Sequence, residues 1–340
     1  MRVDAYLCII LDRPPTLRYQ EMGQPLPVSE ALWRAETRVA RTRLHWNEPA
    51  GRARSAFSTM MRDGLDTAGF VTGYLQMPYL SLEDNHFSLC AFLSELWGVC
   101  KEAHEEHHRH YRSPERNHTA DLLRSWKVYL HEWRVHIEKT DELEETFFAE
   151  FSGDRNLFLG LNLTLYHLVS LKVYANLQLL ERKKCCAQCQ EADVENVIRA
   201  WAQSSDGRQA AYHAAQLKRV YEHESTLYKP GVHRLSNVLA PAGLLASAVV
   251  LCLYSAKVPG VTTEGDAVTA PVEAVELTQA KLTDMPEYQT WISQGGLATV
   301  DGVPLHAFSV PRFSSWYRDQ LTSCPVYSSR LVAFLLTLKI

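Results

Sequence analysis

The segment His104-Glu105-Glu106-His107-His108 matches the pattern H-E-x-x-H. On a helix, the first and last of its histidines stand one turn apart. Both imidazoles could then hold one zinc ion, with the glutamate acting as a base on metal-bound water. The surroundings weaken this chemistry. The segment is a charged helix end, and Tyr111 and Pro114 stand where an extended zinc-protease motif needs a glycine and a third histidine. Glu132 is the one further ligand the sequence offers. The expectation is therefore a solvated helix end, with a zinc-dependent hydrolase using His104, Glu105 and His108 as the alternative.

A second cluster is Cys185-Cys186-Ala187-Gln188-Cys189. Cys186 and Cys189 have the C-x-x-C spacing of a zinc or redox pair. A structural zinc site needs two more ligands, and no second pair lies at finger distance. A thioredoxin-like pair needs a βαβ setting, which the pattern lacks. A loop after a core helix is expected here. A reversible thiol sensor is the weaker reading, with Arg182, Lys183 and Lys184 able to favour a thiolate. A secreted disulfide framework would be shorter and denser than eight cysteines in 340 residues, so buried reduced thiols are expected.

Arg34, Arg38 and Arg41 form a row on one helix, with Arg43, Arg52 and Arg54 nearby. Such a row can meet phosphate or an acidic partner, but Glu30 sits one turn before Arg34 and a solvated face explains the pattern better. Asn117 and Asn162 each begin an N-x-T acceptor, which an intracellular chain would not use. No phosphate loop, dinucleotide fingerprint or nucleophile elbow is present. No catalytic, cofactor-binding or metal-ligating residue is assigned, and the chain is read as no enzyme.

The elements around these residues are helical. Hydrophobic residues make up 46% of the chain and charged residues 22%, an ordinary globular balance. The net charge is −4, unlike a domain that grips a phosphate backbone. The N-terminal apolar run ends at Pro14 and Pro15 and resembles a helix end more than a signal peptide. Ser29 can cap a helix running to His45, with Leu32, Trp33, Val39 and Leu44 on its apolar side. Ser81 and Asp84 have capping-box spacing ahead of Leu89, Leu93, Leu96 and Trp97. Leu122, Trp126, Tyr129, Trp133 and Ile137 form the most periodic stripe. The stretch 156–180 is apolar on most sides and should be central. Helices are expected at 194–203 and 208–224, around the turn signal Ser204-Ser205-Asp206-Gly207, then at 236–255, with a last helical region over 311–338. Val238–Ala256 carries no charge and reaches the length of a membrane span, but Pro241 and its Ala and Ser content favour a core helix. The fold class expected is all-α, a compact array of roughly ten helices with few or no strands. Residues 1–256 would form the main domain, 257–282 a loop, and 283–340 helices packing back on it.

Several blocks in order resemble the fungal-specific transcription factor domain, of the kind found after two-Cys two-His zinc fingers. They are Ala5–Ala35, with its paired prolines and Leu-Trp element; Leu80–Trp97; the Trp126 and Trp133 pair; Arg199–Leu217; the helix ending Cys252-Leu253-Tyr254-Ser255; and Asp301-Gly302-Val303-Pro304-Leu305. Val28 stands where the family has a cysteine. The resemblance implies a nuclear regulator of RNA polymerase II transcription. It implies partners of three kinds: a co-regulator protein, a second copy, or a small-molecule effector. Zinc would belong only to fingers preceding residue 1, together with the first helices of the domain. This chain alone is not expected to bind DNA specifically or to enter a membrane. The remaining alternative is a helical scaffold anchored by Val238–Ala256.

Overall fold

In the computed structural model the described residues are 2–11, 13–24, 32, 35–47, 58, 86–94, 96–98, 127, 154–177, 180, 191–227, 237–258, 272–274 and 285–337. They fold as an all-α array with one very small sheet. The helices are α1 (Arg2–Leu11), α2 (Arg38–Asn47), α3 (Asp154–Tyr174), α4 (Glu191–Gln203), α5 (Ser205–Leu227), α6 (Ala240–Lys257), α7 (Pro286–Gln294), α8 (Val310–Leu321) and α9 (Pro325–Thr337). The strands are β1 (Val272–Glu273), β2 (Ala298–Val300) and β3 (Val303–Pro304). Residues 86–94 are also helical.

Helix α5 lies at the centre. It packs along α3 and α6 and meets α4 and α7. Ala210, Ala211, Ala214 and Ala215 are fully buried on it. Their small side chains let neighbouring helices approach closely. Helix α3 is apolar on nearly every side, and Leu165, Leu168, Val169 and Leu171 are buried in the same core. Every residue of α6 from Ala242 to Ser255 is buried. Among the described residues, α6 is the one helix long and apolar enough to cross a membrane, yet 78% of it is buried within the fold. It serves here as a core helix, covered by α5, α8, α9 and α3.

The joint between α4 and α5 follows from Ser204. Its hydroxyl accepts the Gly207 N–H at 3.1 Å and donates to the Trp201 carbonyl at 2.7 Å. One side chain thus ends one helix and caps the next. A side chain at position 207 would collide with the backbone oxygen of Trp201, so glycine is required there. Arg208 then closes two helix ends at once. Its Nη1 donates to Gln203 O at 2.6 Å, at the C-terminus of α4. Its Nε and Nη2 donate to Ile292 O at 2.8 Å and Ser293 O at 3.3 Å, at the C-terminus of α7. A cation placed against two carbonyl-rich ends is favoured by both helix dipoles.

One expectation changes. The helix expected from Ser29 to His45 is not continuous, because residues 35–37 are non-helical and α2 starts at Arg38. Thr37 caps it, its hydroxyl accepting the Ala40 N–H at 3.2 Å. A local cap offered to the first orphan donors outweighs continuation of the pattern. Val39 is consequently 80% exposed rather than on a packed side. The helical region expected over 311–338 is formed by two helices, α8 and α9, and Pro325, which has no N–H to continue α8, opens the second. The block around Asp301 is a β-turn. Asp301 and Gly302 have φ of 53° and 69°, the left-handed pair of a tight hairpin turn. Strand β2 pairs antiparallel with β3 and parallel with β1. Glu273 of β1 accepts the backbone N–H groups of Asp301 and Gly302 at 3.0 and 2.9 Å. Ser81, Asp84, Trp126 and Trp133 lie outside the described residues.

Arg208 yields a direct test. Lysine keeps the charge but cannot fork across three carbonyls. Arg208→Lys is expected to destabilise the fold by about 2–3 kcal/mol, the scale of lost charged hydrogen bonds. Thermal melting identical to wild type would refute the double-capping role.

Candidate functional site

The residues that could do chemistry by their spacing, His104, Glu105, His108, Glu132, Cys185, Cys186 and Cys189, all lie outside the described residues, as do Arg34, Arg52, Arg54 and Asn117. Arg38, Arg41 and Arg43 are exposed on α2. Asn162 is no acceptor for a sugar in this fold. It is buried on α3 and its Oδ1 lies 2.7 Å from Nδ1 of His86. Among the described residues no group of three or more His, Cys, Asp or Glu side chains is placed to hold a metal ion.

The structure instead brings together groups with no shared motif. Glu224, on the last turns of α5, is only 9% exposed. It approaches α3 at Gly160, where even a methyl group would run into its Oε1. Asn237, ahead of α6, donates through Nδ2 to Glu224 Oε1 and Oε2 at 3.0 and 3.1 Å, and to Thr164 Oγ1 at 2.9 Å. Asn237 is itself held, its Oδ1 accepting the Leu239 N–H at 3.1 Å. Beside this group lies a cavity of about 120 Å³. Glu224, Asn237, Ser225 and Gln320 give it polar walls, and Tyr221, Leu244 and Leu321 give it apolar ones. Cys324, at the start of α9, also faces it.

The electrostatics are set by what Glu224 lacks. No cation pairs with it among the described residues. Burial pushes its carboxyl up to about 7, and the Asn237 hydrogen bond offsets only part of that. Other buried ionisable groups among the described residues are held differently. Burial pushes His86 down to about 4, although its bond to Asn162 opposes this. With Nδ1–H directed at Asn162, its Nε2 accepts the Tyr6 hydroxyl at 2.5 Å. Burial likewise pushes His167 down to about 3, aided by the charge of Arg219. Its Nδ1 lies 3.0 Å from Nδ1 of His213, so one ring donates and the other accepts. Lys218 is also buried, but it bonds Asp301 and Glu222 and lies 4.3 Å from the Trp316 ring centre.

No regular spacing announces the Glu224 site. Gly160, Thr164, Glu224 and Asn237 are spread over α3, α5 and the approach to α6. The one local signal is Asn237, a residue type that favours helix starts.

Raised and lowered values act in opposite directions on stability. Glu224 holds its proton more tightly in the folded chain than its ordinary value near 4.5 allows. Its contribution is complete below that value and is lost as pH rises through about 7. The total is about 3 kcal/mol at most. His86 and His167 contribute fully above 6.5, and their contribution is lost as pH falls toward about 4 and about 3. Glu224→Gln removes only the first effect. It is expected to melt above wild type near about pH 8 and level with it near about pH 4. A melting difference that does not vary with pH would contradict the raised value.

No family model, no curated protein and no solved structure matches this chain.

Proposed function

We propose that this chain is the regulatory, non-DNA-binding helical domain of a fungal-type zinc-finger transcription factor, acting in RNA polymerase II transcription in the nucleus. The observation that carries the reading is the order of the family-like blocks, together with how those blocks sit in the fold. Ala5–Ala35 meets Leu80–Trp97 where Tyr6 bonds His86. Arg199–Leu217 covers the capped joint and the first half of α5. It meets the α6 block where Ser247 donates to Ala214 O at 2.6 Å. The turn at Asp301 is tied to α5 by Lys218, one residue past that block. Among the described residues, the blocks that resemble the family in sequence are therefore neighbours in one core.

The net charge of −4 supports action through a partner rather than through direct contact with DNA. The hydrolase alternative rests on His104, Glu105 and His108, which lie outside the described residues. The scaffold alternative rests on α6, which is used inside the core.

Fusion to an unrelated DNA-binding domain tests the proposal. In a fungal host, the fused chain is expected to change transcription from a reporter bearing that domain's site by about an order of magnitude in either direction. A reporter left unchanged by a fusion that is expressed, nuclear and bound at its site would overturn the reading.

A further inference from the structure

We propose that the cavity beside Glu224 is a binding site for a small organic cation, an alkylammonium ion of a few heavy atoms. Four observations converge on that chemistry. First, the cavity wall contains a carboxylate that is itself more than nine-tenths buried. A buried charge normally has a counter-ion, and this one has a single neutral amide, shared with Thr164. An ammonium group would supply both the missing charge and further donors.

Second, the remaining walls suit an alkyl chain. Leu244, Pro241 and Leu321 are apolar, and the Tyr221 ring adds an aromatic surface. Third, the size is small. A cavity of about 150 Å³ holds one benzene, and this one measures about 120 Å³. Fourth, other ligand classes fit poorly. An anion would meet the carboxylate, and a divalent metal would find a single carboxylate, with no second acidic side chain lining the cavity.

The carboxylate is also placed rather than incidental. Gly160 leaves room for it on α3, and Asn237 holds it from the α6 side. Its raised affinity for protons agrees with the geometry, since the same environment that retains a proton would retain an ammonium ion.

The site stands independently of the transcriptional reading, because binding is measured on the purified chain. The probe is n-butylammonium, with n-butanol as the neutral isostere. Near about pH 8, calorimetric titration is expected to show saturable binding of n-butylammonium in wild type. Near about pH 5.5 the affinity is expected to fall about tenfold or more, as Glu224 takes up a proton. Bound probe is also expected to slow alkylation of Cys324 severalfold, read by peptide mass spectrometry. Glu224→Gln should lose both effects while keeping its circular dichroism spectrum.

Absence of binding to wild type near pH 8 would overturn the proposal. So would equal binding of n-butanol, which would mark an apolar pocket only. Cation binding that leaves Cys324 alkylation unchanged would place the cation elsewhere. Should Glu224→Gln fail to fold, the wild-type comparisons of pH, isostere and Cys324 protection still decide the matter.

Discussion

The fold depends on burying α5 without stranding its polar side chains. Arg208, His213, Gln216, Lys218 and Glu224 are all buried on this one helix. Each unpaired buried polar group would cost more than a typical hydrogen bond returns. Partners must therefore come from other elements. Arg208 takes the carbonyl ends of α4 and α7, Gln216 the Ala274 carbonyl at 2.9 Å, and Lys218 the Asp301 turn. His213 takes His167 on α3, and Glu224 takes Asn237 before α6. The surrounding elements are thereby placed around α5 by specific bonds as well as by apolar packing.

This arrangement explains why so helical a chain has a small sheet at all. Two-residue strands contribute little by themselves. Here the sheet holds the Asp301–Gly302 turn in place. Glu273 accepts the backbone donors of that turn, and the turn presents a carboxylate to Lys218. Inside the protein Lys218 is surrounded by Asp301, Glu222 and the Trp316 ring. A chain of interactions thus runs from β1 through the hairpin turn to the middle of α5.

Glu224 is the exception to the rule that its neighbours obey. Every other buried ionic group on α5 is bonded to an opposite charge or to several carbonyls. Glu224 has a neutral amide and an adjacent space. Both its raised proton affinity and its suitability for a small cation follow from that single mismatch. Because the mismatch sits where α3, α5, α6 and the α8–α9 connection meet, an occupant would touch elements from distant parts of the chain.

The sequence by itself determined the fold class and the core helices. The largely apolar stretch that forms α3, the Ala-rich segment after Gly207 and the uncharged run ending at Ser255 each supply a helix to the core, because periodicity and composition are local properties. The Ser204 joint was legible for the same reason. The Asp301-Gly302 turn was not read as a hairpin, because its strands are too short to produce an alternating pattern. Tertiary structure alone decided the rest. Val39 faces solvent because Thr37 starts α2 in a place that side-chain pattern does not encode. Glu224 becomes a site only when Gly160 and Asn237 arrive beside it, and no spacing along the chain records that meeting. Burial is a property of position in three dimensions. A glutamate on a polar-looking helix end therefore reads as solvated until its neighbours close over it.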